Sequence, residues 1–374
     1  MKSFLKKAFA VLAASLALFS CSDIMGDLKI SSPKPPRPKD YSIPLTIEAE
    51  VGGAKVTFVN KADGPVTYKV NGGTEMQITS GATEIINLYN VGDKVEFWGD
   101  NSTYATGYTN YSNITCASVN EGACVCNLYG NIMSLISSES FKDAKELDEN
   151  YTFTYLFKDN ANIKIKEGAD FLLPATKLAE SCYNGMFYSC NNLTTAPELP
   201  ATKLANYCYE MMFYDCEKLT AAPALPAKTL TDRCYRQMFS NTSLTVGPAL
   251  SATKLAESCY EGMFSKTNLT EAPALPATDL AESCYDSMFS ICKNLTIAPT
   301  LPAKNLAPYC YYHMFYHCES LSKVTCLATK ISAEWCATDW LDGVATTGTF
   351  TKAKDIDWPR NANGIPRGWT VVKK

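Results

Sequence analysis

From Leu45 onward, apolar residues fall on alternate positions: Leu45, Ile47, Ala49 and Val51, then, past Gly52-Gly53, Val56 and Phe58. The alternation returns in Val66, Tyr68 and Val70, in Met76 and Ile78 after Asn71-Gly72-Gly73, and in Val95 and Phe97 beside Trp98. A period of two turns one side of each segment inward, and the glycine-bearing breaks supply tight turns. Residues 44–130 therefore predict an Ig-like β-sandwich, closing on a strand that runs from Cys124 to Tyr129.

Beyond it the pattern changes. Cys-Tyr recurs at 182, 208, 234, 259, 284 and 310, at spacings of 26, 26, 25, 25 and 26 residues. Each pair leads into Met-Phe, from Met186-Phe187 to Met314-Phe315, and then to leucines such as Leu193 and Leu199. A unit this short cannot enclose its own apolar residues, so successive units must stack into a solenoid that buries the same positions in every rung. Cys, Met four residues on and Phe five residues on share one side of a helix, whereas Leu-Thr-x-Ala-Pro-x-Leu-Pro reads as extended chain. The expected unit is extended segment, turn, short helix. The fold class is accordingly mixed α/β multi-domain: a sandwich, then a leucine-rich repeat solenoid over 131–345 with six clear repeats of 25–26 residues, then a C-terminal cap over 346–374. Tyr155-Leu156-Phe157 and Cys336 with Trp340-Leu341 are its degenerate end units.

The first residues read as an address. Lys2, Lys6 and Lys7 precede an uncharged apolar run from Ala8 to Phe19, the layout of a secretory signal over residues 1–20. Leu18-Phe19-Ser20-Cys21 resembles a bacterial lipobox, which makes Cys21 the expected lipidation site and membrane anchor. Pro33, Pro35, Pro36 and Pro38 then stiffen residues 21–43 into an extended stalk. Asp23 and Asp27 resemble the surface-export signal of Bacteroides-type lipoproteins, so the expected location is the outer membrane, facing the cell exterior.

Leu219-Thr220-Ala221-Ala222-Pro223-Ala224-Leu225-Pro226-Ala227, the Cys-Tyr-x-x-Met-Phe blocks and Tyr-x-x-Cys-x-x-Leu resemble the BspA-like leucine-rich repeats of Bacteroides-type surface proteins. Tyr129 to Ile136 before the array and Gly364-Ile365-Pro366-Arg367-Gly368-Trp369 after it are similar to the same family, so the likeness spans about residues 125–374. It implies a right-handed solenoid on a lipid-anchored surface protein, with adhesion or ligand capture as its work.

Composition narrows the chemistry. Among 374 residues, 46% are hydrophobic and 19% charged, and 34 Lys+Arg against 38 Asp+Glu leave a net charge of -4. No basic field draws nucleic acid. Only two histidines occur, and no phosphate loop, dinucleotide fingerprint or nucleophile elbow appears. No catalytic role, cofactor or metal is expected. His313-x-x-x-His317, with Cys310 and Cys318 close by, has metal-ligand spacing, but both histidines stand where other units vary freely. Ten of the 16 cysteines sit at repeat positions, which favours a ladder of buried thiols over disulfides such as Cys182 to Cys190. Cys124-x-Cys126 reads as strand cysteines able to bridge to Cys116.

Positions that change from unit to unit while their neighbours hold are free of packing. On the extended side these are Thr195, Ala221, Val246, Glu271, Ile297 and Lys323, the candidate ligand-binding row. On the other side they are Asn184, Glu210, Arg236, Glu261, Asp286 and Tyr312. Tyr183 to Tyr311 form either a sugar-stacking strip or, with Phe four residues on, a packing ladder. The leading expectation is a non-catalytic surface adhesin that engages an extracellular protein or matrix partner. The alternative is a glycan-capture lipoprotein serving carbohydrate uptake, using tyrosines such as Tyr188, Tyr214 and Tyr316.

Overall fold

The computed structural model describes residues 37–374 apart from Glu121, so the signal segment, Cys21 and most of the stalk lie outside the described residues. The alternating segments form β1 (Leu45–Val51), β2 (Ala54–Val59), β3 (Val66–Val70), β4 (Met76–Ile78), β5 (Thr83–Leu88), β6 (Lys94–Gly99), β7 (Asn113–Ser118) and β8 (Val125–Asn131). One sheet runs β8-β1-β6-β3-β4 and the other β5-β2-β7, with every neighbour in this set antiparallel. Their inner faces meet at Phe58 and Phe97, whose rings lie 5.3 Å apart, edge to face.

β8 also belongs to the array. Its Cys126–Leu128 stretch pairs in parallel with β9 (Ile163–Ile165), and Gly130 and Asn131 pair with β10 (Phe171–Leu172). Gly130 holds φ at +88°, and a Cβ there would collide with the Pro44 carbonyl, so only glycine lets the chain turn at this junction. A second link comes from the loop between β6 and β7. Its Tyr104 is buried, donates its hydroxyl to the Leu135 carbonyl at 2.8 Å, and stacks on Phe153 of the first rung at 5.7 Å. The sandwich thereby closes one end of the solenoid.

The solenoid itself corrects the mixed α/β expectation. Among the described residues the single helical element is a short 3-10 turn at Ile132–Leu135, and the rest is strand, bridge and turn. Where a helix was expected, the N–H groups of Ser181, Tyr183, Gly185, Phe187 and Ser189 donate to Asn206, Cys208, Glu210, Met212 and Tyr214 of the next rung. The residues between them, Asn184, Met186, Tyr188 and Cys190, donate three positions back to Ser181, Tyr183, Gly185 and Phe187. The backbone becomes a string of turns stitched sideways to its neighbour. Every fourth residue is left-handed, with φ 55° at Ser181, 54° at Gly185 and 56° at Ser189, and Tyr207, Met211 and Asp215 repeat this one rung on. A helix needs φ near −63° throughout, so the two conformations exclude each other. Their inward pairs, however, recur every four residues, which differs from a helical stripe by only about 80° over eight residues. That near-coincidence is why the pattern reads as a helix.

Left-handed backbone is costly for branched side chains, and Ile291 carries φ 62° at a position that is Asp215 and Asn241 in other rungs. Ile291→Asn is expected to stabilise the fold by about 1 kcal/mol, read as a higher midpoint in urea; an unchanged or lower midpoint would show that Ile291 packing outweighs its backbone strain.

Packing runs in columns. Phe153, Tyr183, Tyr209, Tyr235, Tyr260, Tyr285, Tyr311 and Trp340 stack face to face with centroids 5.8–6.2 Å apart. Phe157, Phe187, Phe213, Phe239, Phe264, Phe289 and Phe315 make a second column at 5.4–6.0 Å. At the far end β11 (Ile297–Leu301), β12 (Lys323–Cys326), β13 (Gly348–Lys352) and β14 (Trp369–Lys373) form a parallel sheet, and Trp358 stacks on Trp340 at 5.2 Å. Among the described residues all fifteen cysteines are buried free thiols, including Cys116, Cys124 and Cys126. The second cysteine of a unit has a task of its own: Cys190, Cys216 and Cys318 each donate to the phenylalanine carbonyl of the preceding rung at 2.9–3.0 Å. Units without it place Thr242 or Thr267 against a phenylalanine carbonyl instead, at 2.8–2.9 Å.

Candidate functional site

The candidate row on the extended side forms a ladder of parallel bridges, Thr195 to Ala221, Val246 to Glu271, and Ile297 to Lys323. All six side chains are exposed, with Val246 at 64% and Ile297 at 52%. Parallel rungs stack about 4.8 Å apart, so six of them extend the row over roughly 24 Å. It is an open face rather than a pocket.

The second variable row behaves differently. Asn184 and Glu210 are buried, and the Asn184 Nδ2 donates to Glu210 Oε2 at 2.7 Å. Arg236 bridges two carboxylates, donating from Nη1 to Glu210 at 2.8 Å and from Nε to Glu261 at 2.9 Å. Asp286 follows, accepting from the Ser287 hydroxyl at 2.7 Å. Burial and the neighbouring Glu261 push the Asp286 carboxyl up to about 6, against the pull of Ser287 and Arg236. A carboxyl raised above its ordinary value near 4 stabilises the fold fully below that value and loses the contribution as pH rises through about 6. Asp286→Asn is therefore expected to gain about 2 kcal/mol at neutral pH and nothing near pH 3.5, read from urea midpoints at both; an equal gain at both would refute the titration.

Asn184, Glu210 and Arg236 also line a cleft of about 410 Å³ at the junction with the sandwich. Its other wall is aromatic: Tyr108 from the β6–β7 loop, Tyr151 and Tyr155 from the first rung, and Tyr207. Tyr108 meets Tyr151 edge to face at 5.4 Å and 90°, and Tyr155 at a tilt, 6.2 Å and 55°; neither pair stacks. The Tyr108 hydroxyl shares a hydrogen bond with Ser181 Oγ at 2.9 Å, and burial pushes its pKa up to about 12. Tyr155 lies over Gly185, where any Cβ would clash with its ring.

No family model, curated protein or solved structure matches this chain. The site is therefore read from its own geometry. The Cys-Tyr tyrosines are packing residues, with Tyr183 to Tyr311 no more than 3% exposed. Tyr188 and Tyr214 stack on each other at 4.9 Å and 11°, so each covers a face of the other. His313 faces Asp339 at 3.7 Å, and His317 packs against Tyr316 and Gly343. Among the described residues no group of three or more His, Cys, Asp or Glu is disposed to hold a metal. A second cleft, of about 440 Å³, lies on the sandwich beside Trp98, Lys69 and Asp100; Lys69 sits over the Trp98 ring and pairs with Glu75.

Tyr108, Tyr151, Tyr155 and Arg233 were not among the sequence candidates. Tyr151 and Tyr155 carry a signal in hindsight, because they occupy outward positions where the next unit has Ser181 and Gly185. Tyr108 carries none, since its place depends on how a sandwich loop meets the array.

Proposed function

We propose that this chain is a lipid-anchored, outward-facing, non-catalytic binding protein of the BspA-like kind, which engages an extracellular protein or matrix partner through the ladder face of its solenoid. The observation that supports it is the row from Thr195 to Lys323: six exposed residues, paired in parallel as Thr195 with Ala221, Val246 with Glu271 and Ile297 with Lys323, and variable between units that otherwise repeat. Extended open surfaces suit macromolecular partners, and exposed apolar residues such as Val246 and Ile297 in a polar surround are the usual anchors of such contacts.

Protease treatment of intact cells tests the display: loss of the solenoid signal is expected, and protection would place it on the inner side. Binding of the purified chain to immobilised fibronectin, laminin, collagen and mucin tests the face. Val246→Asp combined with Ile297→Asp is expected to weaken the strongest of these interactions at least about tenfold while leaving thermal unfolding unchanged. Equal binding by the variant would move the partner surface elsewhere.

A further inference from the structure

The junction cleft differs from the ladder face in depth, lining and charge. Glu180 and Glu210 face Arg233 and Arg236 within it, so the lining carries no net charge for an ionic ligand to balance. Arg236 is held by Glu210 and Glu261, and Arg233 donates to the Tyr207 hydroxyl at 3.0 Å and to Glu257 at 3.3 Å, so both guanidiniums are fixed in place. One polar atom is left over. Asn184 is 1% exposed and its Nδ2 is used by Glu210, yet its Oδ1 has no hydrogen-bond partner. A buried acceptor without a donor is unfavourable, and a ligand that brings an O–H would relieve it. Opposite stands Tyr108, 42% exposed, which meets Tyr151 edge to face and Tyr155 at a tilt, whereas Lys158 lies over the Tyr155 ring and Arg233 over the Tyr207 ring. The volume of about 410 Å³ lies within the roughly 300–1,000 Å³ usual for small-molecule sites.

We propose that this cleft binds an uncharged oligosaccharide, one pyranose laying its C–H face against the exposed Tyr108 ring and directing hydroxyls to Asn184 Oδ1 and the Glu210–Arg236 pair. A sugar unites the two demands of the site, an apolar flat face and many hydroxyl donors without charge. A charged peptide would bring net charge that the balanced lining does not call for. The Tyr108 ring, offered by a sandwich loop, makes the site a property of both parts of the protein.

Titration calorimetry of the full chain against maltoheptaose, cellohexaose, xylohexaose and chitohexaose tests the assignment. At least one is expected to bind, Tyr108→Ala is expected to weaken it about tenfold or more, and Tyr108→Phe is expected to retain it because the ring remains. Tyr89→Ala, at an exposed sandwich position 67% accessible, controls for nonspecific aromatic contact and should change nothing. Circular dichroism of each variant separates lost binding from lost folding. Val246→Asp with Ile297→Asp leaves the cleft intact and should bind sugar normally, so the ladder-face reading can fail without this one failing. No binding by any of the four, binding insensitive to Tyr108→Ala, or preference for an oligolysine or oligoglutamate peptide over all of them would overturn the proposal.

Discussion

Arg236→Ala is expected to destabilise the protein by about 3 kcal/mol, far more than its surface position would suggest. The guanidinium is the cation nearest the buried Glu210, whose side chain is 8% exposed, and it also holds Glu261. Removing it leaves a desolvated carboxylate supported by Asn184 alone, the situation in which breaking an ion pair costs more than the pair contributes. Arg233→Ala, three residues earlier in the same unit, is the internal comparison. Arg233 and Glu257 are 38% and 51% exposed and 3.3 Å apart, so its loss is expected to stay below about 1 kcal/mol. Urea unfolding of both variants decides it. Similar losses at the two sites would mean that the Glu210 network is solvated, and Arg236→Met with Glu210→Gln, which removes both charges, should recover most of the stability.

Trp340→Ala should be comparably damaging, by about 3–5 kcal/mol, but in a different manner. Trp340 is fully buried, stacks between Tyr311 and Trp358, and donates its Nε1–H to the Gly364 carbonyl at 2.9 Å. It ends the tyrosine column and fastens the last segment over it. In an array whose units contact mainly their neighbours, loosening one end need not unfold the rest. Hydrogen exchange is expected to show protection lost over residues 300–374 first, with the sandwich strands unchanged. Uniform loss along the chain would show that the sandwich and solenoid unfold as one cooperative unit.

How much of this was legible depended on whether the relevant interaction was local. β1, β2, β3 and β6 announce themselves by alternation, because each has one buried face. β5 does not, since it turns Ile85 outward at 54% exposure while burying Ile86 and Leu88. The repeat period and its buried residues were plain, yet the backbone joining them was not. Four-residue spacing over a short segment suits both a helix and a chain of turns, and the choice is made by hydrogen bonds to the next rung, which lie about 25 residues away. The same limit explains the site. The variable row through Glu210 and Arg236 was visible, but whether it is solvated or buried depends on the neighbouring rungs, and the tyrosine wall needs a loop from another sheet.

The tyrosine column has one more implication. Tyr209 and Tyr235 are separated by a 26-residue unit and Tyr235 and Tyr260 by a 25-residue unit, yet both ring pairs sit 5.9 Å apart. The interior registers only the ring, the sulfur and the sideways hydrogen bonds, and absorbs differences of length in the outer turn. Whole units could then be duplicated or dropped without disturbing those that remain. The reach of the molecule is adjustable in steps of one rung, while the junction at its sandwich end keeps its chemistry.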